Sequence, residues 1–174
     1  MDQPTHTDRD MLRHMLATLA YRGGKAIRNA PLEFGTFRAQ GAFNTPVAVL
    51  THINDLIDWA DHWCRGEQKY SVSKPQTWDE EVKRFHRVLE EFDRYLGSGQ
   101  PLHAELEALF QAPIADALTH VGQIALLRRL AGDPVAGEAY RQAEIVAGRL
   151  GPDQAKPGRE FERDKGAFWI EPKT

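Results

Sequence analysis

A single cysteine, Cys64, stands in a chain of 174 residues. One thiol excludes an intrachain disulfide framework and any zinc site built from several cysteines. Positive charge is not in excess: 22 Lys and Arg against 25 Asp and Glu leave a net charge of -3. That balance excludes a general binder of nucleic acid or anionic membrane, which needs a basic stripe. No apolar run approaches the roughly 20 residues that span a bilayer. Strict apolar–polar alternation is lacking beyond two short stretches, 32–37 and 70–73, so strands are scarce. There is no phosphate loop, no GxGxxG and no HExxH. The residues after Met1 are polar and acidic and do not read as a signal peptide, so a cytoplasmic location is expected. What is there, 41% hydrophobic and 27% charged residues, is an ordinary globular mixture of a length that suits one domain.

Helical spacing fills most of the chain. Trp78, Val82, Phe85, Leu89, Phe92 and Leu96 draw one apolar stripe and predict a helix over 77–96. Thr77 and Glu80 form a capping-box pattern at its start, and Gly97 ends it. Thr45-Pro46 opens a second helix that buries Val49, Leu50, Ile53, Leu56, Ile57, Ala60 and Trp63 and ends near Arg65-Gly66. A first helix is expected over 8–29, with a bend or break at Gly23-Gly24, since glycine weakens a helix interior. Residues 113–131 are apolar on nearly every side and predict a helix in the middle of a bundle. A short helical piece is expected over 102–110. Gly132-Asp133-Pro134 reads as a stop and restart, leading to a last helix over 134–150. The expected fold is therefore all-α: four main helices in an antiparallel bundle with an additional C-terminal helix and a tail. The loop 66–76 could reach about 36 Å, more than the roughly 30 Å of a 20-residue helix. It permits helices two and three to run parallel.

Asp116 and His120 lie four apart, on the same helical face as Gln123 and Leu127. A carboxylate in apolar surroundings is costly unless it is paired or bound to a metal. His52 lies at the edge of the second helix's apolar face. An i,i+4 pair on one helix and a histidine on a facing one could make a three-ligand metal site in the way bundles do. Spacing alone equally allows an intrahelical Asp116–His120 ion pair and a core-edge His52. Two histidines and one carboxylate with open positions suit Fe, Mn, Ni and Zn alike, and three protein ligands leave room for a substrate. Asp55 could orient a ligand from behind but reads rather as part of a solvated face, and Arg128 could meet an anionic substrate or an acid on another helix. His6, His14, His62, His86 and His103 read as surface residues. Cys64 reads as a small buried hydrophobe, and Trp59/Trp63 as core.

Thr45-Pro46 leading to Leu50-Thr-His52-Ile-Asn-Asp-Leu-Ile-Asp-Trp59, with Asp116-Ala-Leu-Thr-His120-Val-Gly-Gln123, resembles the DinB-like superfamily of small bacterial helical bundles over about residues 8–150. The resemblance implies an up-down-down-up bundle and commonly a homodimer. It further implies a divalent metal (Zn, Ni, Fe or Mn) held by His52, Asp116 and His120, with Gln123 close behind. Asp116 departs from the family's usual histidine but remains a ligand type. The implied activity is metal-dependent chemistry on a small molecule, either thiol S-transfer with a low-molecular-weight thiol or hydrolysis. The competing expectation is a non-catalytic dimeric bundle whose vestigial metal site serves an interaction module. The bundle domain is expected over 1–151 and a docked tail over 152–174, where Phe161, Phe168, Trp169 and Ile170 cluster large apolar groups in an otherwise polar stretch.

Overall fold

The structure, a computed structural model, describes residues 7–41, 43–67 and 69–161. They form an all-α protein: α1 (Asp8–Ile27), α2 (Pro46–Cys64), α3 (Trp78–Gly97), α4 (Leu106–Leu109) and α5 (Ala115–Leu130). No strand occurs among the described residues beyond one isolated bridge, Glu138 to Glu160. None of the described helices is long and apolar enough to cross a membrane.

The helix starts are local chemistry. Thr77 and Glu80 make the capping box: the Glu80 amide donates to Thr77 Oγ1 at 3.3 Å and the Thr77 amide donates to Glu80 Oε2 at 3.0 Å. Thr7 and Asp10 repeat the device on α1. Thr45 Oγ1 accepts from the Ala48 amide, with Pro46 in the first turn of α2.

A single core collects Leu12, Leu16 and Leu19 of α1, Leu50, Ile53 and Ile57 of α2, Phe85, Leu89 and Phe92 of α3, and Ala117 and Ile124 of α5. Helix α2 packs against α3 and α5, and α1 packs against the same two. Arg9 and Arg13 of α1 reach the far end of α3, donating to the Leu96 carbonyl and to Asp93. Between α2 and α3, Asp55 at the middle of α2 meets Arg84 in the first half of α3, and the Cys64 carbonyl meets Tyr95 near the ends of both.

Helix α1 runs on through Gly23-Gly24, where a bend or break was expected. A Cβ on Gly23 would lie 2.5 Å from Phe85 Cζ, so this glycine admits the fully buried Phe85 ring of α3.

Three other expectations are corrected. Helix α5 is not enclosed: Leu126 and Leu130 are more than half exposed, so the helix shows one face to solvent. The short piece before it is not separate. Four residues of α4 continue through a π-helical turn, Phe110–Ile114, which holds Pro113 and joins α5 directly. The largest correction concerns 134–150, which is not a helix. Between Gly132 and Phe161 the described residues are irregular, with one 3-10 turn at Tyr140–Gln142. Buried Ala136 and Glu138 alternate with exposed Gly137, a period of two rather than 3.6. The cause is tertiary. Glu138, its side chain fully buried, accepts from Tyr21 at 2.6 Å and from Lys25 at 2.6 Å. Lys25 also reaches Glu160 at 2.6 Å. A buried ammonium on α1 is thus met by two carboxylates from the crossing segment, and burying that charge unpaired would be costly. The candidate strand 32–37 forms a 3-10 turn, Leu32–Thr36, and 70–73 has no regular secondary structure. Of the apolar tail residues, Phe161 donates its amide to the Gly137 carbonyl at 2.8 Å, while Phe168, Trp169 and Ile170 lie outside the described residues.

Candidate metal centre

Helices α2 and α5 bring His52, Asp116 and His120 together. Asp116 and His120 lie one turn apart on α5, and α2 presents His52 across the interface between the helices. His52 Nε2 lies 3.6 Å from Asp116 Oδ2, and His120 Nε2 lies 3.4 Å from Asp116 Oδ1. The two imidazoles meet nearly at right angles, with ring centroids 4.7 Å apart. One donor atom from each residue falls within 4.8 Å of the others, so the cluster could hold a metal ion. The Asp116 side chain is nearly half exposed and that of His120 about one-fifth, so the group opens to solvent on one side.

The distances fit an ion pair as well as a ligand set. A hydrogen bond between an imidazole N–H and a carboxylate spans about 2.7–3.2 Å, shorter than either contact. Two bonds of about 2.0–2.1 Å meeting at a tetrahedral angle put their donor atoms roughly 3.3 Å apart, close to what is observed.

The far side of each ring is held. His120 Nδ1 lies 3.0 Å from Gln123 Oε1, a contact that orients the ring with Nε2 toward Asp116. His52 Nδ1 lies 3.4 Å from the Tyr70 hydroxyl. Burial, and then the negative charges of Asp55 and Asp116, push the Tyr70 phenol above its ordinary range, so it stays protonated.

Comparison with protein-family models, curated proteins and solved structures returns no match to this chain.

Gln123 contacts His120 Nδ1. Asp55 does not stand behind His52. Its side chain is buried, with Oδ1 accepting from Arg84 at 2.6 Å and Oδ2 from the Ser73 amide at 2.8 Å. It ties down the loop that carries Tyr70. Arg128 lies two turns beyond His120, where it donates to the carbonyls of Ala26 and Arg28 and to Asp133. These contacts close the C-terminal end of α1, and none of them is with the His52–Asp116–His120 cluster. Tyr70 is the residue that sequence reasoning missed: an aromatic in a polar loop, 18 positions from His52, carries no periodic signal.

Beside Asp116 lies an open depression of about 380 Å³, lined by Leu56, Trp59, Gln111, Ala112, Ala115 and Thr119. Trp59 is fixed there, stacked on Trp63 at 5.3 Å and packed edge-on with Tyr70 at 5.5 Å. The remaining histidines stand apart. His14 and His103 are exposed, His62 sits beside Asp58 and Glu67, and half-buried His86 meets the Leu150 carbonyl at 2.8 Å through Nδ1. His6 lies outside the described residues. Cys64 is fully buried, and burial above all pushes its thiol up to about 12, so it is no nucleophile.

Proposed function

We propose that this chain is a divalent-metal protein of DinB-like type that acts on a small molecule, by thiol S-transfer or hydrolysis. The observation that carries the reading is the convergence of two Nε2 atoms on one carboxylate while a separate side chain holds each Nδ1. A bound metal supplies Lewis acidity there. The chain's own residues do the rest: Gln123 and Tyr70 orient the rings, Asp116 supplies the anionic ligand, and the depression beside it leaves space for a substrate. Zn, Ni, Fe and Mn all suit this donor set.

The helix contacts support the up-down-down-up order. The start of α1 meets the end of α3, successive α2–α3 contacts (Asp55 to Arg84, Cys64 to Tyr95) advance in the same direction along both helices, and His52 of α2 faces His120 while Trp59 reaches back toward Ala112. The exposed Leu126 and Leu130 favour a second reading of the same fold, a homodimeric interaction module with an idle site.

Elemental analysis of the purified chain, before and after loading with zinc, tests the proposal. Stoichiometric metal that is lost in His120→Ala supports it, and no metal even after loading overturns it. Turnover in a screen of thiol co-substrates, esters and amides separates the enzyme from the module.

A further inference from the structure

We infer that the depression beside Asp116 is a subsite for the uncharged, apolar or aromatic body of a ligand whose donor end binds at the His52–Asp116–His120 cluster, an inference that rests on the metal reading above. Its position makes it continuous with the cluster, since Asp116 belongs to both. At about 380 Å³ it falls within the range of small-molecule sites, roughly 300–1,000 Å³.

The lining is mixed but short of cations: Leu56, Trp59, Ala112 and Ala115 supply its apolar part, while Gln111, Thr119 and Asp116 supply a comparable polar share. Among the described residues Asp116 is the one ionisable group in the lining, and no described lysine or arginine belongs to it. The nearby cation of Arg84 is already committed to Asp55 at 2.6 Å and stands 3.6 Å from Glu81. A carboxylate or phosphate on the ligand's body would lose hydration against Trp59 and Leu56 and find no counter-charge. An aromatic or aliphatic body loses little and covers apolar surface. The Trp59 wall is also rigid before a ligand arrives, because Trp63 stacks on it and Tyr70 packs against it, so little ordering cost opposes binding. Tyr70 thereby links the two halves of the site: its ring braces the wall and its hydroxyl braces His52.

Three probes with one metal-binding head test this on the full chain: acetohydroxamic, benzohydroxamic and 4-carboxybenzohydroxamic acid. Zinc is titrated first, by calorimetry. Each probe is then titrated into the zinc-loaded and the metal-free protein while the Trp59 indole N–H is followed by NMR. On the loaded protein benzohydroxamic acid should bind about tenfold or more tighter than either of the others. On the metal-free protein it alone should shift the Trp59 signal, weakly. Trp59→Ala should erase the gap between the phenyl and methyl probes, both compared at saturating zinc because Trp59 also packs on Tyr70. Thr119→Lys, at an exposed position that leaves the wall intact, should raise affinity for the carboxylated probe and narrow its deficit. Equal binding of the three probes to the loaded protein overturns the subsite, as does a gap that survives Trp59→Ala. If zinc does not bind but benzohydroxamic acid still shifts Trp59 selectively, the metal reading falls and the apolar subsite stands. If neither happens, both fall.

Discussion

Lys25 Nζ and Glu138 Oε2 meet at 2.6 Å across 113 positions of sequence, with both side chains out of solvent. Tyr21 donates to the other Glu138 oxygen, and Glu160 meets the ammonium from its exposed side. Breaking a buried pair from one side leaves a naked charge and costs about 3–5 kcal/mol. Lys25→Met should therefore lower the melting temperature by roughly 6–20 °C, at about 2–4 °C per kcal/mol for a chain of this size. The double variant Lys25→Met/Glu138→Leu should recover most of that loss. Thermal unfolding of both variants checks this, and equal losses would mean that the pair does not hold the segment.

Adjacent glycines should respond with opposite signs. Gly23→Ala drives a methyl into the buried Phe85 ring, and overpacking of this kind costs about 1–3 kcal/mol. A Cβ on Gly24 meets nothing closer than Gln154 Cγ at 3.8 Å, so Gly24→Ala should stabilise by about 0.5–1 kcal/mol through helix propensity. Denaturant midpoints at constant slope read both effects.

Metal should stabilise the fold. A ligand that binds only the folded chain adds about 2.7 kcal/mol at a hundredfold excess over Kd. The melting temperature should rise by roughly 5–11 °C with zinc and fall back with EDTA. Protons compete for the imidazole lone pairs, so the gain should shrink on acidification. Asp116→His should keep the metal and shift preference toward softer ions, zinc over manganese. A melting temperature indifferent to zinc and EDTA would remove the site.

Tyr70→Phe and Gln123→Leu each remove a partner of an imidazole Nδ1 while leaving all three donors in place. Partners of this kind are worth about 10–100-fold in metal affinity. Both variants should weaken zinc binding by such a factor, with the melting temperature of the metal-free chain nearly unchanged.

Cys64 sets a pH dependence. Its folded thiol is pushed up to about 12, whereas an exposed thiol ionises near 8.5. The unfolded chain therefore loses this proton first, and stability falls as pH rises from about 8.5 toward 12. Below that window the contribution is fully present. Thiol-specific reagents should label the native chain only at the rate of unfolding, and Cys64→Ala should flatten the alkaline part of the stability curve.

The helices were legible where the signals are local. Thr45-Pro46 and the Thr77/Glu80 box mark their starts in the sequence itself, and the stripe of Phe85, Leu89 and Phe92 is the buried face of α3. The segment 134–150 misled because Val135, Ala139, Tyr140 and Ala143 keep a helical spacing. What decides its path is the charge of Lys25, more than a hundred positions away. The Asp116–His120 pairing follows from helical geometry alone. That His52 joins it depends on how α2 lies on α5, and that Tyr70 holds His52 depends on a loop anchored by Asp55, which no periodicity reveals.

The wide turn at Phe110–Ile114 carries one residue more per hydrogen bond than the helix on either side. It lets Leu109 and Ile114, five positions apart, both be fully buried. It also ends just before Ala115, so Asp116, His120 and Gln123 stay in regular helical phase. In a lineage, such a turn is a slack point. Gaining or losing a residue there rotates only the short α4, while the core positions Ile124 and Leu127 keep α5 in register. A wide turn four residues later would instead split Asp116 from His120 by a full side-chain step. The chain can thus tolerate length changes ahead of its ligands but not between them, and indels among descendants should collect on the Phe110 side of Asp116.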